Sequence, residues 1–249
     1  MSWLGKLFGK KEAVLEPINL GQLKVDFHSH LIPAIDDGSK SLEDSMEMLT
    51  KFESWGYDKV ITTPHVMSDF YRNTPEIILG GRDEVRNELK KKGSQLGFEA
   101  AAEYYLDETL EDKVKAKELL TFGDQHVLFE LPFIAESPNL ASVIFEMQTQ
   151  GYKPILAHPE RYGFWYNDFE KFREMKDKGV FLQVNILSFI GHYSPETQKI
   201  AERLVDEDLI SFLGTDCHNQ GHQQLIEIAR TKPYVHKLIE SGKLLNHTL

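Results

Sequence analysis

Seven apolar or β-branched runs recur along the chain, and segments with helical periodicity separate most of them. The runs are "LKVDFHSH" (23–30), "KVITTPH" (59–65), "FEAAAEYYL" (98–106), "HVLFELP" (126–132), "KPILAHPE" (153–160), "VFLQVNIL" (180–187) and "LISFLGTDCH" (209–218). Strands that alternate with helices predict a parallel sheet, and unbroken apolar runs predict strands covered on both faces. The helix signals agree with this. Ser41 caps a segment whose Leu42, Met46, Leu49 and Phe52 form one face and which Gly56 ends. Thr74-Pro75-Glu76 and Ser194-Pro195-Glu196 each place a cap before a proline at the first helical position, and Ile200, Leu204 and Leu209 continue a buried stripe after the second. Seven such units in roughly 225 residues fit a small TIM-like (β/α) barrel better than an open two-sided sheet.

No Gly/Ser linker or composition shift divides the chain, so one domain is expected over residues 23–249. Residues 1–22, opening "MSWLGKLFGKK", are expected to be a tail or a short amphipathic segment. No run approaches the roughly 20 apolar residues of a membrane span. A net charge of −11 argues against a nucleic-acid binder. The single cysteine, Cys217, precludes an intrachain disulfide and fits the reducing cytoplasm.

The polar residues fall at the C-terminal ends of the runs, which a barrel gathers on one face. The first ends in His28 and His30, with Asp36 and Asp37 following; the second ends in His65. Glu103, Glu130 and His158 belong to the next three, and Asp216 and His218 to the last. The sixth run, with Asn185, has no ligand-type residue. Asp, Glu and His make up about a fifth of the chain, too few for six of seven ends to agree by chance. In a strand, residues i and i+2 share a side, so His28 projects with His30 and Asp216 with His218. Imidazole and carboxylate suit manganese, iron or zinc, and nine such ligands exceed what one ion can use. Two or more ions can activate water and hold the oxygens of a displacement at phosphorus. Cysteine-based phosphatase chemistry is excluded: it needs Cys-x5-Arg, and the sixth residue after Cys217 is Gln223. Cys217 is expected to pack as a small hydrophobe.

At these residues the sequence resembles the bacterial PHP family, named for polymerase and histidinol phosphatase. "DFHSH", "TTPH", "AAEYY", "FELP", "AHPERY" and "GTDCHN" look like its successive motifs, in order, over residues 23–222. "HLIPAIDDGSKS" and "AHPERY" resemble one branch, the manganese-dependent protein-tyrosine phosphatases of capsule and exopolysaccharide systems. The resemblance implies a distorted seven-stranded (β/α) barrel with three divalent ions, manganese first and iron or zinc compatible. Its implied ligand sets are His28, His30, Glu103 and Asp216; Glu103 as bridge with Glu130 and His158; and Asp37, His65 and His218. Asp37 matches the motif's second aspartate, leaving Asp36 to orient a ligand or cap the following turn. Arg161 matches the phosphate-binding arginine, whose planar fork suits a phosphoryl group. The branch's second arginine is missing from "DCHNQGHQQ"; either His222 or Arg72 is expected in its place.

The implied activity is hydrolysis of phosphotyrosine on a protein, with a membrane-associated tyrosine kinase of polysaccharide export as substrate and a metal-bound hydroxide attacking phosphorus. His65, His218 or a bound water would supply a proton to the leaving group. Three other readings stay open: a histidinol-phosphate-like small-molecule phosphatase, an amidohydrolase-type barrel, and a metal-bound scaffold without activity. The amidohydrolase reading expects a lysine near the fourth strand end, where Glu130 stands. Phe70, Tyr71, Phe164, Trp165 and Tyr166, in the loops after the second and fifth strands, could wall a slot for a tyrosine ring or pack onto the barrel rim.

Overall fold

The computed structural model describes residues 15–249, so the basic and apolar start of the chain lies outside the described residues. Among the described residues there are nine short strands: β1 (Val25–Asp26), β2 (Lys59–Thr62), β3 (His65–Val66), β4 (Gly97–Ala100), β5 (Glu103–Tyr105), β6 (His126–Glu130), β7 (Lys153–Ala157), β8 (Phe181–Asn185) and β9 (Phe212–Gly214). Eight α-helices accompany them among the described residues: α1 (Leu42–Ser54), α2 (Pro75–Lys91), α3 (Leu110–Ala116), α4 (Leu140–Thr149), α5 (Glu170–Asp177), α6 (Pro195–Asp206), α7 (Gln220–Ala229) and α8 (Pro233–Glu240). Every strand pair is parallel, in two sheets ordered β1-β2-β4 and β3-β5-β6-β7-β8-β9.

The nine strands correspond to the seven runs of the sequence. β2 and β3 are one run interrupted at Thr63-Pro64, where proline lacks the N–H that a ladder needs. β4 and β5 are one run interrupted at Ala101-Ala102. Backbone bonds span both interruptions: Thr63 N donates to Ser29 O, Ala101 N to Thr62 O and Glu103 N to Pro64 O. Between the first and last runs, Asp216 N donates to His28 O at 2.7 Å and His30 N to Cys217 O at 3.0 Å. The two sheets are thus joined around a ring by local bonds rather than by one continuous ladder, which is the distortion of the barrel.

The core has two parts. A smaller apolar cluster contains Val25, Phe27, Ile61, Ala101, Leu128, Ile155, Ala157 and Phe212 from successive strands. A larger one joins the other strand faces to the helices. Along β6, Val127 and Phe129 belong to the larger cluster and Leu128 to the smaller, as a period of two requires of a strand covered on both sides. That register also sets the site. Glu130 follows Leu128 by two residues, so its carboxylate rises from the inner apolar layer, while Asp216, beyond the end of β9, is placed by its N–H bond to His28 O.

The helix starts follow the sequence signals. Ser41, Thr74 and Ser194 each accept a backbone N–H with the side-chain oxygen, and Pro75 and Pro195 open their helices. Gly56, at φ +86°, takes the left-handed turn after α1 that a side chain would strain. Among the described residues, no helix is long and apolar enough to cross a membrane.

Candidate metal centre

His28, His30, Glu130, His158 and Asp216 are buried at or just beyond the C-terminal ends of β1, β6, β7 and β9, and Glu103 is buried at the start of β5, beyond the end of β4. His65, Asp37 and His218 complete the group from its more open side. The structure brings all nine sequence-predicted ligand residues together. Four subsets have ligand atoms within 4.8 Å of one another: His30, Asp37, His65 and His218; His28, His30 and Asp216; His28, Glu103 and His158; and His65, Glu103 and Glu130. These groupings overlap the expected ones but differ in detail. His65 reaches two neighbourhoods, with Nδ1 3.1 Å from Glu103 and 3.3 Å from Glu130, and Nε2 3.5 Å from Asp37.

Glu103 is the hub. Its Oε1 lies 3.3 Å from His28 Nε2 and 3.1 Å from His158 Nε2, and its Oε2 lies 3.1 Å from His65 Nδ1. Both oxygens are buried without a hydrogen bond, as are His28 Nε2, His30 Nε2, His65 Nδ1 and Glu130 Oε1. Buried polar atoms in native proteins are nearly always satisfied, so six orphans at one point need a missing partner. Ligand atoms about 2.1 Å from a shared cation sit about 3–3.4 Å apart, which is the spacing here. The donor set therefore fits divalent ions.

The electrostatics agree. Burial pushes the His28 ring down in pKa, but the Glu103 and Asp216 carboxylates overcome this and raise it. Burial likewise opposes a charged His30, yet Asp36 brings it up to about 10. Against burial, His28 and His65 hold Glu103 well below the usual carboxylate range, and His28 and His218 do the same for Asp216. Cations entering the cluster would displace these imidazole protons.

Two of the nine sequence-predicted ligand residues sit on left-handed backbone. His158, directly after β7, has φ +35°, and Asp216, two residues after β9, has φ +48°. Each such position costs on the order of 1–3 kcal/mol and persists only where its surroundings enforce it. At Asp216 the enforcing contacts are explicit: its N–H donates to His28 O, and the preceding Thr215 N–H donates to buried Asp26 Oδ1 at 3.0 Å. Gly214 permits this approach, because a Cβ there would lie 2.6 Å from Gln183 Nε2 and 2.9 Å from His28 Cβ.

Around the cluster, further residues fix orientation. Asp36 stands behind His30, with Oδ2 2.8 Å from Nδ1, and also accepts from His65 N and Gly38 N. Asp37 instead faces His65 and His218. β8, in the sixth run, which has no ligand-type residue, supplies amides. Gln183 Oε1 accepts from His28 Nδ1 at 2.7 Å, which leaves the Nε2 lone pair turned to the cluster. Asn185 receives a bond from Gln183 Nε2 at 2.8 Å and donates to Asp216 Oδ2 at 2.6 Å. Sequence reasoning missed both, although their i, i+2 spacing at a strand end was a signal.

A cavity of about 430 Å³ opens above the cluster, lined among others by Tyr71, Phe133, Arg161, Tyr193 and His222. Arg161 pairs with Asp216 Oδ2 at 3.2 Å. Glu160 does not pair with it; its Oε1 is buried against Asn185 N and Ser188 Oγ. His222 lines the cavity, whereas Arg72 does not: its Nε is turned back onto Ser68 O. Of the aromatic residues expected to wall a slot, Tyr71 lines the cavity, stacked on His65 at 5.5 Å. Trp165 is buried, and Phe164 and Tyr166 pack against the core. Phe133 and Tyr193, which the sequence did not single out, take their place.

A family model described as "Capsular polysaccharide synthesis, CpsB/CapC" matches residues 24–244. The tyrosine-protein phosphatase YwqE of Bacillus subtilis is 29% identical over 196 residues, 78% of this chain and 77% of the relative. The tyrosine-protein phosphatase CpsB of Streptococcus pneumoniae is 27% identical over 201 residues, 78% of this chain and 83% of the relative. Crystal structures described as YwqE from B. subtilis and CpsB from S. pneumoniae, metal-dependent tyrosine phosphatases, include a chain that superposes with a TM-score of 0.77 at 27% identity, covering 90% of this chain and 94% of that one.

Proposed function

Because the chain belongs to the CpsB/CapC family of capsular polysaccharide synthesis, we propose that it is a metal-dependent phosphatase of protein phosphotyrosine. The observation that carries this reading is the gathering of nine imidazole and carboxylate residues, six of their buried atoms unpartnered, beneath a cavity that also holds Arg161. His28, His30, Asp37, His65, Glu103, Glu130, His158, Asp216 and His218 would hold three divalent ions, manganese first. When bound, such ions activate water for in-line attack on phosphorus and offset charge on the phosphoryl oxygens.

The chain's own residues bind and orient the substrate. Arg161 commits one N–H to Asp216 Oδ2 and keeps four for phosphoryl oxygens. His222 is the second donor to the phosphate. Burial and the neighbouring His218 hold its pKa below the ordinary value, which favours the neutral ring over a cation. Its Nδ1 lies 3.2 Å from Asp216 O and 3.4 Å from His218 N, and the tautomer with the proton on Nε2 is the one that can donate to the phosphate. The phenolate of tyrosine, with a pKa near 10, leaves with little help from an acid. That suits a site in which both nitrogens of His65 and of His218 already face polar partners. Tyr71 and Phe133 offer apolar walls to the tyrosine ring. The physiological substrate in this reading is a membrane-associated tyrosine kinase of polysaccharide export, met from the cytoplasm.

The test is phosphate release from phosphotyrosine, phosphoserine and histidinol-phosphate substrates, before and after chelation and manganese re-addition. Manganese-restored activity favouring phosphotyrosine is expected. A preference for histidinol phosphate, or turnover indifferent to thorough chelation, would refute the reading.

A further inference from the structure

The loop after β8 carries Tyr193, whose place beside Arg161 has a consequence for how substrate is met. The Arg161 guanidinium carbon lies 4.2 Å from the Tyr193 ring centroid and 4.8 Å from that of Phe133. Phe133 also stacks on His158, at 5.7 Å and 22°. The Tyr193 hydroxyl accepts from Asn185 Nδ2 at 3.1 Å and lies 3.3 Å from Asp216 Oδ2, the same oxygen that Arg161 Nη1 approaches. One carboxylate oxygen thus gathers an amide, a phenol and a guanidinium, while Asp216 Oδ1 faces His28, His30 and His218.

We propose that Tyr193 and Phe133 are positioning residues that clamp the Arg161 guanidinium in its phosphate-receiving place through their ring faces. Arginine on a free stem must lose rotamer freedom each time it engages a ligand. Two rings against it restrict it beforehand, by cation–π attraction that strengthens as water is excluded. Donors fixed before the reaction need no reorganisation as charge develops on the phosphoryl oxygens. The inference rests on the phosphatase reading for its effect on turnover, but not for the clamp itself. The ring, not the hydroxyl, is the working part, because Arg161 is held at its π face.

Two readouts test this, turnover on the manganese-loaded protein and NMR on the protein loaded with diamagnetic zinc. The first is kcat/KM on a phosphotyrosine peptide for Tyr193→Leu, Tyr193→Phe, Phe133→Leu, Arg161→Ala and the Arg161→Ala/Tyr193→Leu double variant. Tyr193→Leu and Phe133→Leu should each lose about tenfold. Tyr193→Phe, which keeps the ring but loses the hydroxyl's bonds to Asn185 and Asp216, should lose less than Tyr193→Leu, and the double variant should be no worse than Arg161→Ala. The second readout is the Nε–Hε NMR signal of Arg161, assigned by its loss in Arg161→Ala. It should be shifted by ring currents in wild type and Tyr193→Phe, and move toward its free-arginine position in Tyr193→Leu and Phe133→Leu. Should Tyr193→Leu not fold, Phe133→Leu at a half-exposed position carries both readouts. The clamp is overturned if the Arg161 signal ignores both leucine variants, or if Tyr193→Leu costs the same factor without Arg161. A wild type inert on aryl phosphates would remove the phosphatase reading, and the NMR signal would still decide the clamp.

Discussion

Asp36 and Asp37 are chemically identical neighbours with different surroundings. Asp36 accepts from His30, His65 N and Gly38 N and faces away from the cluster's open side, while Asp37 looks across it to His65 and His218. A carboxylate behind an imidazole fixes the ring and raises its basicity, and losing one costs about 10–100-fold in metal affinity. Asp36→Asn should therefore weaken manganese binding by about that factor in competition with a chelator, with the fold intact by circular dichroism; unchanged affinity would deny Asp36 this role. Arg161 makes a different demand. Arg161→Lys keeps the charge and loses the fork, so kcat/KM on phosphotyrosine peptide should fall by about 100-fold, and equal activity would exclude two-pronged binding. His28, His30 and Asp216 were legible in the sequence because their residue type advertises chemistry. Tyr193 was not, since a tyrosine two residues past a glycine in a loop carries no sign of which side chain it will meet. Trp165 misled for the complementary reason: its indole N–H finds Glu136 Oε2 at 2.6 Å, which lets the ring sink into the core.

The strands were legible as seven runs, but their interruptions and the closing seam were not. Pro64 marks one break in the sequence; the break at Ala101-Ala102 leaves no sign beyond small residues. The seam between the first and last runs depends on a residue far along the chain. Buried Asn246, in the C-terminal turn, donates to Val25 O at 3.1 Å and Leu213 O at 2.8 Å and accepts from Leu213 N at 3.1 Å. Its side chain stitches β1 to β9 where no ladder runs. Asn246→Ala leaves three buried backbone groups short of a partner, and should lower unfolding stability by about 3 kcal/mol in urea titration. A loss under about 0.5 kcal/mol would mean that the seam holds by its backbone bonds alone.

Across the whole molecule, a net charge of −11 coexists with a dense knot of carboxylates and imidazoles in the interior. Two buried acids outside the ligand set make stability depend on pH. Burial brings Glu160 up to about 7 from 4.5, and Asp26 up to about 7 from 3.8. The folded chain therefore binds protons more tightly than the unfolded one at these groups. Their contribution is full below about pH 4 and is lost as pH rises toward 7. Glu160→Gln removes one of the two ionisations, so its melting temperature relative to wild type should climb by several degrees from pH 5 to pH 8. A difference independent of pH would mean that Glu160 does not titrate in this range.

The central claim is that the nine ligand-type residues close around cations, and anomalous scattering from crystals grown with manganese tests it most directly. Peaks about 2–2.4 Å from His28, His30, Asp37, His65, Glu103, Glu130, His158, Asp216 and His218, with Glu103 shared between two of them, are the expected result. Peaks elsewhere on the chain, or no manganese at the strand ends in a fully ordered crystal, would contradict it.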